Sequence, residues 1–459
     1  MWLLLTWGLT AVLSIYVLRA RSYAGVLIAV VSSTLWNVPI IMLGNTASSG
    51  LFPVDIIIVL TFFRYFVWEK WPLYLKRRRI EIFIFMLVVV YAAIRTAIAV
   101  LHQDYGYYNN FILYGAFRWV LFCIVLLVFY SRPLGEIELF RCLKILGGVL
   151  LVYMVFAVLH QQGFVDLSAS NATGRAYIYS RSWESSTLFR TYLGSNSATV
   201  ALIGYAGMLL ALFLLRYSKR KLMYFVLFGL SLLVVFGSWS RSDLIAIIVT
   251  LGVGGFVWHY AGLIRGLRRY GSWLIGLLVL LIFVFQLEGT VLESKTAERF
   301  LGTDYIGQFQ GEVVGTGSYR VKNNELTILY WREHLEDAIF GFGPNGYRML
   351  LQKGVSLLNY GHNIYFHIIG ELGLIGLVLL ALWLVAVCHN IRWIAVSGSP
   401  FQKDIVILVS LLLMERLVAG YSVDTIFAVD DMLPTTIILL FFLGIGGGIV
   451  KQMGNYNAR

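Results

Sequence analysis

The sequence predicts an all-α, polytopic integral membrane protein of about 12–13 transmembrane helices with one large outer loop. Three observations carry that reading. The 459 residues are 59% hydrophobic and only 13% charged, whereas soluble domains are near half apolar and a quarter charged. Apolar runs recur along the chain, each close to the ~20 residues that cross roughly 30 Å of hydrocarbon. The loops between them alternate in charge, as the positive-inside rule requires.

The apolar runs lie near 2–18, 24–43, 51–68, 81–101, 111–130, 143–160, 198–216, 222–238, 243–262, 271–288, 362–388, 404–421 and 432–450. The first, WLLLTWGLTAVLSIYVL, has no basic start and no convincing cleavage site, so it reads as a retained span rather than a signal peptide. Basic loops follow every second span: RARS, then EKWPLYLKRRR, SRPLGEIELFR, RYSKRK, RGLRRY and HNIRW. This alternation places the C-terminus on the cytoplasmic side. It also accounts for most of the net charge of +12, which therefore does not point to a nucleic-acid partner. Cys123, Cys142 and Cys388 show no CxxC spacing, which excludes a disulfide framework or thiolate metal site.

No repeat divides the chain, so 1–459 reads as a single transmembrane domain. Two outer loops, 161–197 and 289–361, are far longer than the 2–8 residues that usually join helices in bundles. Long loops of this kind commonly carry function. In the second, Leu326, Leu329, Tyr330, Leu335 and Ile339 recur at helical spacing, which predicts an amphipathic helix lying on the membrane face. GFGPNGY then stops it.

Charged residues within spans are costly and draw attention to themselves. Arg64 lies near a cytoplasmic end, where it can snorkel. Arg95 and Arg118 suit structural roles against backbone carbonyls. Glu415 and Arg416 are adjacent and point in different directions on a helix, which favours partners on other helices over a mutual pair. Arg241 stands in the tight outer turn SWSRSD. Ser242 or Asp243 can cap the helix that follows, and a helix start beside an arginine suits an anion.

The stretch NYGHNIYFHIIGELGLIG places His362 and Asn363 at the mouth of a span. Gly361 removes bulk beside the histidine, and Asn363 offers an amide to orient it. The helix start also favours negative charge. His367 and Glu371 are one helical step apart and can pair. There is no HExxH, P-loop, GxSxG elbow or dinucleotide fingerprint, so zinc hydrolase, ATPase and dehydrogenase readings lack support, and no metal or cofactor is called for.

Four pieces together resemble the O-antigen ligase and polymerase superfamily: His362-Asn363 followed by Gly373 and Gly376, the entry LFRTYLGSNSATVALIGY, the turn SWSRSDLIAI, and the outer loop SYR…W…AIFGFGPNGY. The likeness covers about residues 185–380. It implies a GT-C-like membrane glycosyltransferase in the bacterial inner membrane, with its long loops and active site facing the periplasm. It implies a metal-independent, inverting transfer from a glycan on undecaprenyl diphosphate. By position, Arg241 matches the phosphate-binding arginine of the Ser-Arg turn, Arg320 the arginine of the large loop, and His362 the histidine that contacts the acceptor. Arg320 stands farther from Trp331 than the pattern has it, which leaves Arg332 and Arg190 as rivals. Asn363 and Glu371 complete the candidate substrate-binding set.

The chemistry suits those residue types. Breaking an anomeric C–O bond builds charge on a departing diphosphate, and guanidinium groups fork onto phosphate oxygens at any relevant pH. A neutral imidazole can take the proton of the attacking hydroxyl. A polymerase joining repeat units into O-antigen or exopolysaccharide is the leading expectation. The alternative is a ligase that moves finished O-antigen onto lipid A-core. The polymerase needs a second diphosphate lipid, and Arg175, Arg181 and Arg190 in the first long loop lean that way. A chain-length copolymerase partner stays open. A transporter would show discontinuous helices in matching halves, whereas here the unusual residues gather at one face.

Overall fold

The computed structural model of the chain describes residues 2–20, 22–36, 38–42, 50–69, 80–101, 109–131, 134–161, 164–165, 167, 197–238, 240–260, 305–309, 312–355 and 363–420, with 436, 438 and 440. These residues are mostly helical. The order is α1 (Trp2–Arg19), α2 (Tyr23–Thr34), β1 (Ile41–Met42), β2 (Gly50–Leu51) and α3 (Pro53–Phe62), which continues as a π-helical turn over Phe63–Trp68. Then come α4 (Ile80–Leu101), α5 (Asn109–Ser131), α6 (Glu136–Gln161), α7 (Ser197–Tyr217), α8 (Lys221–Gly237) and α9 (Arg241–Tyr260). A ribbon of β3 (Tyr305–Phe309) and β4 (Glu312–Gly315) leads into α10 (Thr316–Glu333), α11 (Leu335–Phe340), α12 (Arg348–Gln352), α13 (Ile364–Ser397) and α14 (Pro400–Ala419). Each ribbon is a two-stranded antiparallel pair, and these are the only strands among the described residues.

Among the described residues, α4, α6, α7 and α13 are long and apolar enough to cross a membrane, and shorter apolar helices accompany them in α1, α2, α5, α8 and α9. The protein is a membrane protein on that evidence. The expected spans near 271–288 and almost all of 432–450 lie outside the described residues, as does most of the loop 161–197.

The expected span at 24–43 is not one continuous helix. α2 has 12 residues, a length of about 18 Å against the ~30 Å of hydrocarbon. It ends at Leu35, and the chain then enters β1, which pairs with β2 across Ile41–Leu51 and Met42–Gly50. Pro39 explains the stop, because proline cannot continue a helix and restricts the residue before it.

At the centre, α7 is buried along nearly its whole length and packs on α6, α8, α9 and α14. Its small residues let backbones approach closely, as in membrane bundles generally. A Cβ at Gly204 would stand 2.8 Å from Val235, so α8 sits directly against that glycine.

The two ends of the bundle differ. At one, Arg216 pairs with Asp404 at 2.9 Å and Ser399 donates to Glu136 at 2.7 Å, close to Lys219, Arg220 and Lys221. Arg64 belongs to the same class of tie, donating to the carbonyls of Val17 and Ala20 and pairing with Glu69. Arg118, fully buried, pairs with Asp55 and the Tyr114 hydroxyl and reaches the Gly50 carbonyl. It ties β2 and α3 to α5, the structural role its position suggested.

Candidate functional site

The opposite end of the bundle gathers the motifs. α9 begins at Arg241, one residue after Ser240, whose carbonyl accepts the Leu244 N–H at 3.0 Å. Ser240 therefore stands at the cap position, ahead of the Ser242 or Asp243 expected from sequence. Asp243 instead turns its carboxylate inward. It accepts from the Ser240 hydroxyl on one oxygen and pairs with Arg416 of α14 through the other. Arg416 also forks onto Glu415 through Nε and Nη2. Asp243, Glu415 and Arg416 are all fully buried.

Arg416 has the interhelical partner expected of it, Asp243, but it also pairs with adjacent Glu415, which departs from the expectation. The arginine is long enough to fold back onto its neighbour while its fork reaches a second helix. Its Nη1 is buried with no hydrogen-bond partner among the described residues.

The same end of α14 holds the start of α13. The Ile364 N–H donates to the Gly420 carbonyl at 2.8 Å, and a Cβ at Gly420 would stand 2.8 Å from the Ile364 side chain. Asn363 is the N-cap of α13, its Oδ1 accepting from the Tyr365 N–H at 2.9 Å and the Phe366 N–H at 3.4 Å. Asparagine is among the best residues for that position. The consequence revises the sequence reading. The first donors of α13 are spent on Asn363 and Gly420, so this helix start is not an open cradle for an anion, and the Asn363 oxygen serves the helix.

α13 is broken inside its first third. Gly373 has φ 67° and ψ −175°, a region open essentially to glycine alone. The break frees the carbonyls of Gly370 and Glu371, and the outer-loop segment GFGPNGY fills the gap. Phe342 donates to the Gly370 carbonyl at 2.9 Å and Gly343 to that of Glu371 at 2.7 Å. Gly341, also at φ 67°, faces Gly373 so closely that a Cβ on it would lie 2.5 Å from the Glu371 oxygen. Arg95 donates to the Gly341 carbonyl and Tyr91 to that of Phe340 at 3.0 Å, so α4 holds the loop from its other side. Pro344 rests on Gly115 of α5 at a distance that leaves no room for a methyl group.

His367 and Glu371 sit beside this break, with Nε2 and Oε1 3.1 Å apart. The two side chains meet as their spacing predicts, in a close contact outside hydrogen-bonding geometry. Glu371 is 2% exposed, so its carboxylate lies within the packing. The Tyr347 ring stacks on His367 at 5.8 Å, and its hydroxyl meets Asn323 at 3.3 Å and Thr327 at 3.2 Å. Trp331 stacks on Phe366 at 5.6 Å.

The expected amphipathic segment forms two helices, α10 and α11, rather than one. α10 turns Asn323, Thr327 and Trp331, spaced four apart, into the protein. Leu329, Leu335 and Ile339 are instead exposed, as suits residues facing lipid. A further latch closes α10 on α11, where Tyr330 donates to Asp337 and Lys353 donates to Tyr330 at 2.7 Å. Burial first, then the Asp337 carboxylate, pushes the Tyr330 phenol above its usual range.

Of the candidates named from sequence, Arg241 opens α9 and Arg320 lies early in α10, which fixes their backbone positions. Arg332 is exposed in the last turn of α10, Asn363 caps α13 and Glu371 is buried at its break. His362 and Arg190 lie outside the described residues, although His362 directly precedes the Asn363 cap. Sequence reasoning missed Asp243 and Arg416 as a pair, and the role of Gly341 opposite Gly373. The signals were two charges at span ends and a repeated glycine pattern. Among the described residues no three metal-ligating side chains gather. No family model matches the chain, and no curated protein is significantly similar to it.

Proposed function

We propose that this chain is a metal-independent, inverting glycosyltransferase of the bacterial inner membrane, working at its periplasmic face. It takes glycan repeat units from undecaprenyl diphosphate and polymerises them into O-antigen or exopolysaccharide. One observation carries the reading. The Ser-Arg turn and the His-Asn helix start, far apart in sequence, are tied to the same end of α14, through Arg416 to Asp243 and through Gly420 to Ile364.

In this reaction the acceptor hydroxyl attacks the anomeric carbon, and the bond to phosphate breaks with its electron pair leaving on the diphosphate. His362 takes the hydroxyl proton, a step of general-base catalysis worth about 10²–10⁴-fold. Arg241 and an outer-loop arginine, Arg320 with Arg332 and Arg190 as rivals, bear the charge that builds on the leaving group. Preorganised donors aimed at developing charge usually supply the largest share of catalysis. With the donors at the start of α13 already engaged, that work falls to the arginines. The polyprenyl tail lies in lipid beside the spans, and the acceptor is the glycan of a second carrier lipid.

The test is glycan gel electrophoresis of a deletion strain complemented with wild type or with His362→Ala. Loss of the ladder, leaving one repeat unit on lipid A-core, supports polymerisation. Bare core with long polymer retained on the carrier lipid would make the chain an O-antigen ligase instead. An unchanged ladder with His362→Ala would remove the catalytic assignment.

A further inference from the structure

Asp243 and Arg416 are absent from the chemistry just described, yet they are the most completely buried charges near it. Three features set their cluster apart from an ordinary structural ion pair. It joins the first turn of α9, two residues from Arg241, to the last turn of α14. It holds two carboxylates, Asp243 and Glu415, to one guanidinium, all with no exposure. It also leaves Arg416 Nη1 buried with no hydrogen-bond partner among the described residues.

A tie selected for stability alone would not look like this. Arg416 and Glu415 already form a forked, charge-balanced pair within one helix. Adding Asp243 crowds a second buried carboxylate onto the same guanidinium, and a buried tie of that kind is a weak source of stability. What Asp243 does contribute is geometry. Its second oxygen receives the Ser240 hydroxyl, so both residues flanking Arg241 and Ser242 are pinned. Four residues beyond Arg416, the Gly420 carbonyl receives the Ile364 N–H. One turn of α14 thereby sets the Ser-Arg turn and the start of α13 relative to each other.

We infer that Arg416 and Asp243 are positioning residues for the transfer reaction, holding Arg241 in register with the His362–Asn363 start of α13. They touch neither donor nor acceptor and act through the two motif backbones. The inference rests on the glycosyltransferase reading and adds to it the frame that aligns its two halves.

The experiment uses purified full-length protein in lipid nanodiscs with a lipid-diphosphate-linked glycan, measuring kcat, KM and thermal midpoint together. Asp243→Ala removes the tie but leaves Arg416 paired with Glu415, so the midpoint falls modestly and the protein stays folded. kcat falls about a hundredfold, the scale of an ångström of misplacement, while KM changes by no more than about twofold, as for an interaction felt mainly in the transition state. Asp243→Asn, whose amide oxygen still accepts from Arg416, recovers most of that loss. Arg416→Lys keeps a charge but loses the planar fork that spans Glu415 and Asp243, and loses kcat as Asp243→Ala does. Wild-type kcat in both Asp243→Ala and Arg416→Lys would overturn the inference, as would a midpoint that collapses in both, since the cluster would then be architectural. A wild-type protein that transfers nothing would instead defeat the glycosyltransferase reading, and this inference with it.

Discussion

Replacing Gly373 with alanine tests the loop-in-helix arrangement directly. Alanine at φ 67° and ψ −175° costs about 1–3 kcal/mol in backbone strain alone. The new methyl would also stand 2.5 Å from the Ile339 carbonyl carbon and 2.6 Å from that of Phe340, so α11 and the GFGPNGY segment must retreat. That retreat pulls Phe342 and Gly343 from the carbonyls of Gly370 and Glu371, each bond worth about 0.5–1.5 kcal/mol net. The sum is about 2–6 kcal/mol. The assay is the thermal midpoint of detergent-purified protein followed by tryptophan fluorescence, with limited proteolysis between 335 and 355 as a local readout. Gly229→Ala in α8 is the comparison, since its Cβ meets nothing within 4 Å and alanine is favoured inside a helix by about 0.5–1 kcal/mol. Gly373→Ala lowers the midpoint and speeds cleavage, whereas Gly229→Ala does neither. A native midpoint and native cleavage rate for Gly373→Ala would refute the argument that the break exists to receive the loop.

Other perturbations follow from the same geometry. Arg118→Met leaves Asp55 buried without its cation, a loss of about 3–5 kcal/mol, and Asp55→Asn added to it recovers much of the thermal midpoint; equal midpoints for single and double variants would contradict the pairing. Tyr347→Phe removes the buried hydroxyl that meets Asn323 and Thr327, which lowers the midpoint by the equivalent of about 0.5–1.5 kcal/mol, while Tyr330→Phe at the partly exposed latch has a smaller effect; the reverse order in the same melting assay would show that the buried hydroxyl is not the anchor. Asn363→Ala removes the α13 cap at about 0.5–2 kcal/mol, and Asn363→Asp, another strong cap, restores the midpoint; failure of aspartate to restore it would mean that the amide acts elsewhere.

The long apolar helices α4, α6, α7 and α13 were legible because apolar composition over about 20 residues marks a possible membrane span whatever the neighbours are. The 24–43 span was misread for the same reason: its apolar residues run through Pro39 into β1, and hydropathy does not register the loss of helix. Residues at fixed short spacing were also readable. His367 and Glu371 pair because four residues bring side chains together on any helix. Asp243 and Arg416 were not, since nothing local reveals that α9 lies against the end of α14. The apolar stripe of the outer loop was readable, and Leu329, Leu335 and Ile339 are exposed along it; periodicity did not reveal that the other face of α10 packs Asn323, Thr327 and Trp331 into the protein.

The break in α13 bears on what kind of membrane protein this is. Discontinuous helices are a mark of transporters, where the freed backbone groups coordinate a substrate or ion near mid-membrane. In α13 the two carbonyls freed at Gly373 are already taken by Phe342 and Gly343, and the gap is occupied by backbone whose glycines leave no space for more. A helix broken to bind cargo would leave those groups open. One broken to seat a loop would close them and brace the loop from a second side, as Arg95 and Tyr91 do from α4. The arrangement therefore fixes the outer loop carrying Arg320 and Arg332 to the helix that begins beside His362. For the proposed transfer, which needs arginines on a leaving diphosphate, such a brace would hold the loop that bears Arg320 and Arg332 steady against α13.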